Sequence, residues 1–106
     1  GIPENLQDLV RYMEIHYMDH LTLDFLADFS GINKYYLIRL FKKHMGISPK
    51  EYIIMQQINT AKNMLKETSL PANKIGAIVG LENENHFRHL FKERTGMSPG
   101  EFRKSE

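Results

Sequence analysis

The 106-residue chain carries 14 lysines and arginines against 13 aspartates and glutamates, no cysteine, and 42% hydrophobic residues. That size and apolar content fit one compact domain or two closely packed half-domains with a core, not a disordered segment. Without cysteine there are no disulfides, thiolate nucleophiles or cysteine-held metal clusters, and no apolar run approaches the roughly 18 residues of a membrane span. The expectation is a soluble cytoplasmic domain, and Gly1-Ile2-Pro3 in place of an initiator methionine points to a fragment of something longer.

Charge is unevenly placed along the chain. The first thirty residues hold one base, Arg11, against six acids: Glu4, Asp8, Glu14, Asp19, Asp24 and Asp28. The remainder is basic on balance. Such asymmetry is expected when one side faces nucleic acid, although ordinary solvation is the favoured account of any single run.

From Glu4 to about Met18, Leu6, Leu9, Val10, Met13 and Tyr17 recur at helical spacing and predict a core-facing helix. Thr22 can cap a short second helix through Leu26, Ala27 and Phe29, with Gly31 marking a turn. A third helix is predicted from about Asn33 to Met45. Its inner side carries Leu37, Leu40, Phe41 and His44, and its outer side Tyr35, Ile38, Arg39 and Lys42. Two short helices joined tightly, the second with a basic outer face, have the form of a helix-turn-helix, though a purely structural helix pair has the same form.

The longest uninterrupted pattern runs from Pro49 to about Lys66, with Ile54, Ile58, Ala61 and Leu65 as a stripe flanked by Tyr52, Met55 and Met64. About 17 residues make a rod of roughly 25 Å, a spacer as well as a core element. After Thr68-Ser69-Leu70-Pro71 follow a short helix with Ile75, Ile78 and Val79 up to Gly80, a helix from about Asn83 to Thr95, and a last one from Pro99 to about Lys104.

The chain repeats itself. Leu40 to Pro49 reads L-F-K-K-H-M-G-I-S-P, and Leu90 to Pro99 reads L-F-K-E-R-T-G-M-S-P. In each copy a helix with a basic last turn meets a glycine, Gly46 or Gly96, that suits a left-handed C-cap. Ser48 and Ser98 can cap the next helix, with Pro49 and Pro99 in its first turn and Glu51 and Glu101 completing capping boxes. The outer face repeats as well: Asn85, Arg88, His89 and Lys92 recur at the spacing of Tyr35, Ile38, Arg39 and Lys42. Duplicated inner faces reflect shared packing, whereas duplicated polar outer faces point to a repeating partner.

Tyr36-Leu37-x-Arg39-Leu40-Phe41-Lys42-Lys43, Gly46-x-Ser48-Pro49-x-x-Tyr52, Ile58-x-x-Ala61-x-x-Met64-Leu65, Val79-Gly80-Leu81 and Phe87-x-x-Leu90-Phe91-Lys92-x-x-x-Gly96-x-Ser98-Pro99-x-x-Phe102-Arg103 together resemble the AraC-type (AraC/XylS) bacterial transcription regulators. The resemblance runs from Leu21 to Arg103. It implies an all-α domain of seven helices, with helix-turn-helix units at about 22–45 and 72–95 joined by a linker helix at about 49–66. It further implies that the domain is the output module of a longer regulator, commonly an activator, with an effector or receiver domain elsewhere in the chain. The implied partners are double-stranded operator DNA, entered at successive major grooves about 34 Å apart, and RNA polymerase.

Carried over residue by residue, the resemblance implies base reading by Tyr35, Ile38 and Arg39 in the first unit and by Glu84, Asn85, Arg88 and His89 in the second. Arg39 suits guanine O6 and N7, Asn85 suits adenine, and Tyr35 and Ile38 suit a thymine methyl. Lys34, Lys42, Lys43 and Lys92 are assigned to phosphates, which position the protein without reading sequence. The chain departs from the family pattern at Gly76, Leu81, His89 and Gln57, where alanine, an aromatic residue, arginine and arginine are usual. A mid-helix glycine costs roughly 1 kcal/mol relative to alanine, so Gly76 predicts a less rigid second unit.

His16 with His20, and His86 with His89, have workable ligand spacings but no evident third ligand, so no metal or cofactor is expected. His44 reads as a cation at a helix C-terminus. The six methionines read as core or its margin. No nucleophile–base pair, phosphate-cradling loop or paired carboxylates stand out, so the chain is not expected to be an enzyme. The competing functional class is a helical protein-interaction module without direct DNA binding.

Overall fold

The computed structural model describes residues 1–106 and contains seven α-helices: α1 (Glu4–His16), α2 (Leu23–Ser30), α3 (Lys34–Met45), α4 (Pro49–Glu67), α5 (Ala72–Ile78), α6 (Glu84–Thr95) and α7 (Pro99–Lys104). It forms two compact units, residues 1–55 and 56–106, whose boundary falls within α4. Two helix-turn-helix subdomains are thus joined by a long central helix, as the resemblance implies.

Helix ends follow from local chemistry. Thr22 Oγ1 accepts the Phe25 N–H at 3.0 Å and starts α2. Asn33 and Asn83 stand just outside α3 and α6 as N-caps, so each helix begins one residue later than a start at the asparagine would put it. Asn33 Oδ1 accepts from the backbone of Tyr35 and Tyr36, and Asn83 Oδ1 from that of His86. Each bond satisfies a donor that the first helical turn leaves without an internal partner. Gly46 and Gly96 close α3 and α6 at φ 83°, a left-handed conformation that side chains with a Cβ rarely adopt. Before α7 the capping box is complete: Ser98 Oγ accepts from Glu101 N and Glu101 Oε1 accepts from Ser98 N. At α4, Ser48 Oγ accepts from Glu51 N at 3.2 Å.

In the first unit Leu6, Leu9 and Met13 of α1, Leu26 of α2, Ile32, Leu37 and Phe41 of α3, and Tyr52 of α4 form one buried cluster. Phe41 meets Tyr52 edge-on at 5.6 Å between ring centroids. Helix α1 ends at His16, short of Met18; the Asp19 N–H bonds back to the His16 carbonyl and its side chain meets the His16 ring at 2.9 Å, turning the chain.

In the second unit Ile58, Ala61 and Leu65 of α4, Ile75 and Val79, Leu81, and Phe87, Leu90 and Phe91 of α6 are buried. Phe102 of α7 caps this cluster edge-on to Phe91 at 5.5 Å. The Arg103 guanidinium donates to the carbonyls of Leu65 at 3.0 Å, Thr68 at 3.2 Å and Leu70 at 2.6 Å. It therefore satisfies acceptors that the end of α4 leaves open and places a cation at the negative end of that helix.

Two expectations change, and one departure from the family pattern finds its setting. Met18, Met55 and Met97 are more than a third exposed, so only half of the methionines fill or flank the core; their flexible side chains tolerate either setting. Gln57 is 6% exposed, a position where a neutral amide is far less costly to desolvate than a charge. Gly76 is buried, and a Cβ there would stand 2.8 Å from Cγ and Cδ2 of Phe87 and 3.1 Å from the Leu81 carbonyl oxygen. The glycine is thus a packing requirement of the α5–α6 pair, not a loose point in it.

Candidate nucleic-acid interface

Helix α3 packs inward through Leu37 and Phe41, which are fully buried. This orientation leaves Tyr35 70% exposed, Arg39, Lys42 and Lys43 exposed, and Ile38 half-buried. Four of the residues proposed from the sequence for this helix are therefore accessible, and Ile38 sits at the margin between the outer face and the core. Lys34 begins the helix and is already engaged. Its ammonium lies 2.9 Å from Asp24 of α2, and the hydrogen bond and charge of Asp24 raise its pKa above the ordinary 10.5.

Arg39 lies with its guanidinium carbon 5.9 Å from the centroid of the Tyr36 ring. Tyr36 is 51% exposed and belongs to the same surface. Its place three residues before Arg39 puts the two side chains side by side on a helix, a spacing by which Tyr36 joins the sequence-derived site. A cation above an aromatic face is attracted by the ring's quadrupole.

Helix α6 repeats the arrangement. Phe87, Leu90 and Phe91 turn inward, and Glu84, Asn85, Arg88, His89 and Lys92 are all exposed. Two of these side chains meet: the Arg88 guanidinium donates to Asn85 Oδ1, and its other terminal nitrogen lies 3.8 Å from Glu84 Oε1. His86, also exposed, offers a further polar group on this helix.

No group of three or more His, Cys, Asp or Glu side chains is placed to hold a metal ion. His16 instead stacks on Tyr12 at 4.2 Å and pairs with Asp19. His44, in the last turn of α3, is half-buried. No helix is long and apolar enough to cross a membrane.

Residues 26–105 match the family described as a helix-turn-helix domain. Among individual proteins, the chain is 36% identical over 95 residues to the bifunctional transcriptional activator/DNA repair enzyme AdaA of Bacillus subtilis, covering 90% of this chain and 45% of that one. The C-terminal domain of AraT, a response regulator of Geobacillus stearothermophilus, superposes with a TM-score of 0.94 at 27% identity, covering 99% and 88% of the two chains. A transcriptional regulator with an AraC-type DNA-binding domain from Chromobacterium violaceum gives a TM-score of 0.83 at 29% identity over 93% and 88%. The chain spans less than half the length of curated relatives such as AdaA. In fold, repeated motifs and sequence, the chain belongs to the AraC-type family of helix-turn-helix DNA-binding domains.

Proposed function

We propose that this chain is the sequence-specific DNA-binding module of a longer bacterial transcription regulator, with α3 and α6 each entering a major groove. The observation that carries this reading is the exposure of two equivalent outer faces, one on each helix, bearing Arg39 and Arg88 above inner faces that are fully engaged in the core. On this reading the outer faces that carry Tyr35, Ile38 and Arg39, and Glu84, Asn85, Arg88 and His89, enter the grooves and supply the groups that read base edges. Lys34, Lys42, Lys43 and Lys92 bind phosphates and fix the register of the protein on the duplex.

The helix-turn-helix units are assigned to about 22–45 and 72–95, with the linker helix at about 49–66. The bound site spans two successive major-groove segments. In the full-length protein an effector or receiver domain supplies the signal, the regulator acts in the cytoplasm as an activator, and RNA polymerase is the downstream partner. AdaA joins activation to DNA repair, but this chain spans under half of that protein, and catalysis is not part of the function proposed for the module.

The test is an anisotropy titration of the chain against duplexes enriched from a randomised pool, at two salt concentrations. Contacts to several phosphates predict an affinity that falls steeply as salt rises. Binding that is indifferent to salt, or no enrichment at all, supports the protein-interaction reading instead.

A further inference from the structure

Helix α6 carries Glu84, Asn85 and Arg88 in its first five residues, all exposed. Arg88 donates one terminal nitrogen to Asn85 Oδ1 and faces Glu84 with the other at 3.8 Å. A guanidinium has five N–H donors in one plane, so each terminal nitrogen still has a hydrogen to give. Whichever Nη2 hydrogen meets Asn85, one parallel donor pair remains, across the two terminal nitrogens or across Nε and Nη2, and such a pair is what guanine O6 and N7 require. Adenine asks something different of an asparagine: Oδ1 must accept from N6 while the amide nitrogen donates to N7. In this helix Oδ1 is turned to Arg88, along the helix instead of out to a base.

We propose that Asn85 is a positioning residue for Arg88, and that α6 reads guanine through Arg88 instead of adenine through Asn85. The inference rests on the reading that this chain binds duplex DNA through α6 and names the base that helix selects. An arginine held in place before contact loses less side-chain freedom on binding than an unrestrained one. Glu84 acts with Asn85 as the second restraint, so it supports the same arginine without reading a base. In α3 the corresponding support comes from a ring, with Arg39 beside Tyr36.

The experiment compares sequences enriched from randomised duplexes by the wild-type chain and by Arg88→Ala, Asn85→Ala, Asn85→Asp and the Asn85→Ala/Arg88→Ala double variant. A guanine preference lost in Arg88→Ala marks the position that Arg88 reads. At that position Asn85→Ala weakens the preference roughly tenfold, and the double variant is no worse than Arg88→Ala alone. Asn85→Asp keeps an oxygen facing Arg88 but lacks the amide donor for adenine, so the guanine preference survives in it. The proposal is overturned if both Asn85 variants erase an adenine preference and spare the guanine, if Asn85→Ala weakens all sequences equally, or if Arg88→Ala changes no position. Failure of the wild-type chain to enrich any sequence overturns the DNA-binding reading beneath it.

Discussion

Gly76 and Phe87 are packed so closely that no room is left for a methyl group between them: a Cβ on Gly76 would meet two ring carbons at 2.8 Å. Phe87 is 1% exposed and packs against the Phe91 ring at 5.8 Å between centroids. Alanine gains about 1 kcal/mol in helix propensity, but overpacking a filled site costs typically 1–3 kcal/mol. Gly76→Ala is therefore expected to lower the stability of the second unit by about 1 kcal/mol. Urea unfolding followed through that unit checks the sign, and a rise in stability would show that α5 and α6 separate freely.

Arg103 ties α7 to the end of α4 and the following turn through three carbonyls. Removing it leaves those acceptors to water or unpaired, so Arg103→Ala is expected to cost about 1–2 kcal/mol, with Lys unable to restore the forked geometry. Hydrogen exchange should show the last turn of α4 and all of α7 opening earlier in the variant. Uniform protection in both proteins would refute this role.

Acid should weaken the start of α7. The Ser98 backbone N–H, then its side chain, hold the Glu101 carboxyl below its ordinary value of 4.5. A carboxyl lowered on folding contributes stability that is full above its unfolded value and disappears as pH falls through the folded one. An NMR titration should find Glu101 protonating below ordinary glutamates, and Glu101→Gln should remove that part of the acid dependence. Lys34 behaves in the opposite sense: its raised pKa contributes below 10.5 and is lost as pH rises through the raised value.

Lys34 and Lys42 should differ as phosphate contacts, because Lys34 is paired with Asp24 whereas Lys42 stands exposed in the last turn of α3. Lys42→Ala is expected to weaken all DNA sequences alike and reduce the salt slope by about one. Asp24→Asn should tighten binding modestly by releasing Lys34. Unchanged affinity in Asp24→Asn would place Lys34 away from the phosphates.

Much of this architecture was legible in the chain. Gly46, Gly96, Thr22 and Ser98 act on backbone groups within a few residues, so their spacing alone locates helix ends, whereas Asn33 and Asn83 pass for first helical residues and are caps. Periodicity likewise assigned Leu37, Phe41, Phe87 and Phe91 inward and Tyr35, Arg39, Asn85 and Arg88 outward. Gly76 misled because propensity describes an isolated helix, whereas its fit depends on Phe87, eleven residues away in sequence. Arg103 was read only as part of a motif because its acceptors lie 33 to 38 residues back along the chain. Tyr36 and the Asn85–Arg88 bond stand at spacings open to inspection, but the choice of side-chain partner is not set by spacing.

The direct test of sequence reading by these faces is the enrichment profile of Arg39→Ala beside that of the wild-type chain. Loss of discrimination worth roughly 1–3 kcal/mol, confined to one base position, is the predicted result. An equal loss across all sequences would make Arg39 an anchor to phosphate and contradict its assignment as a reader.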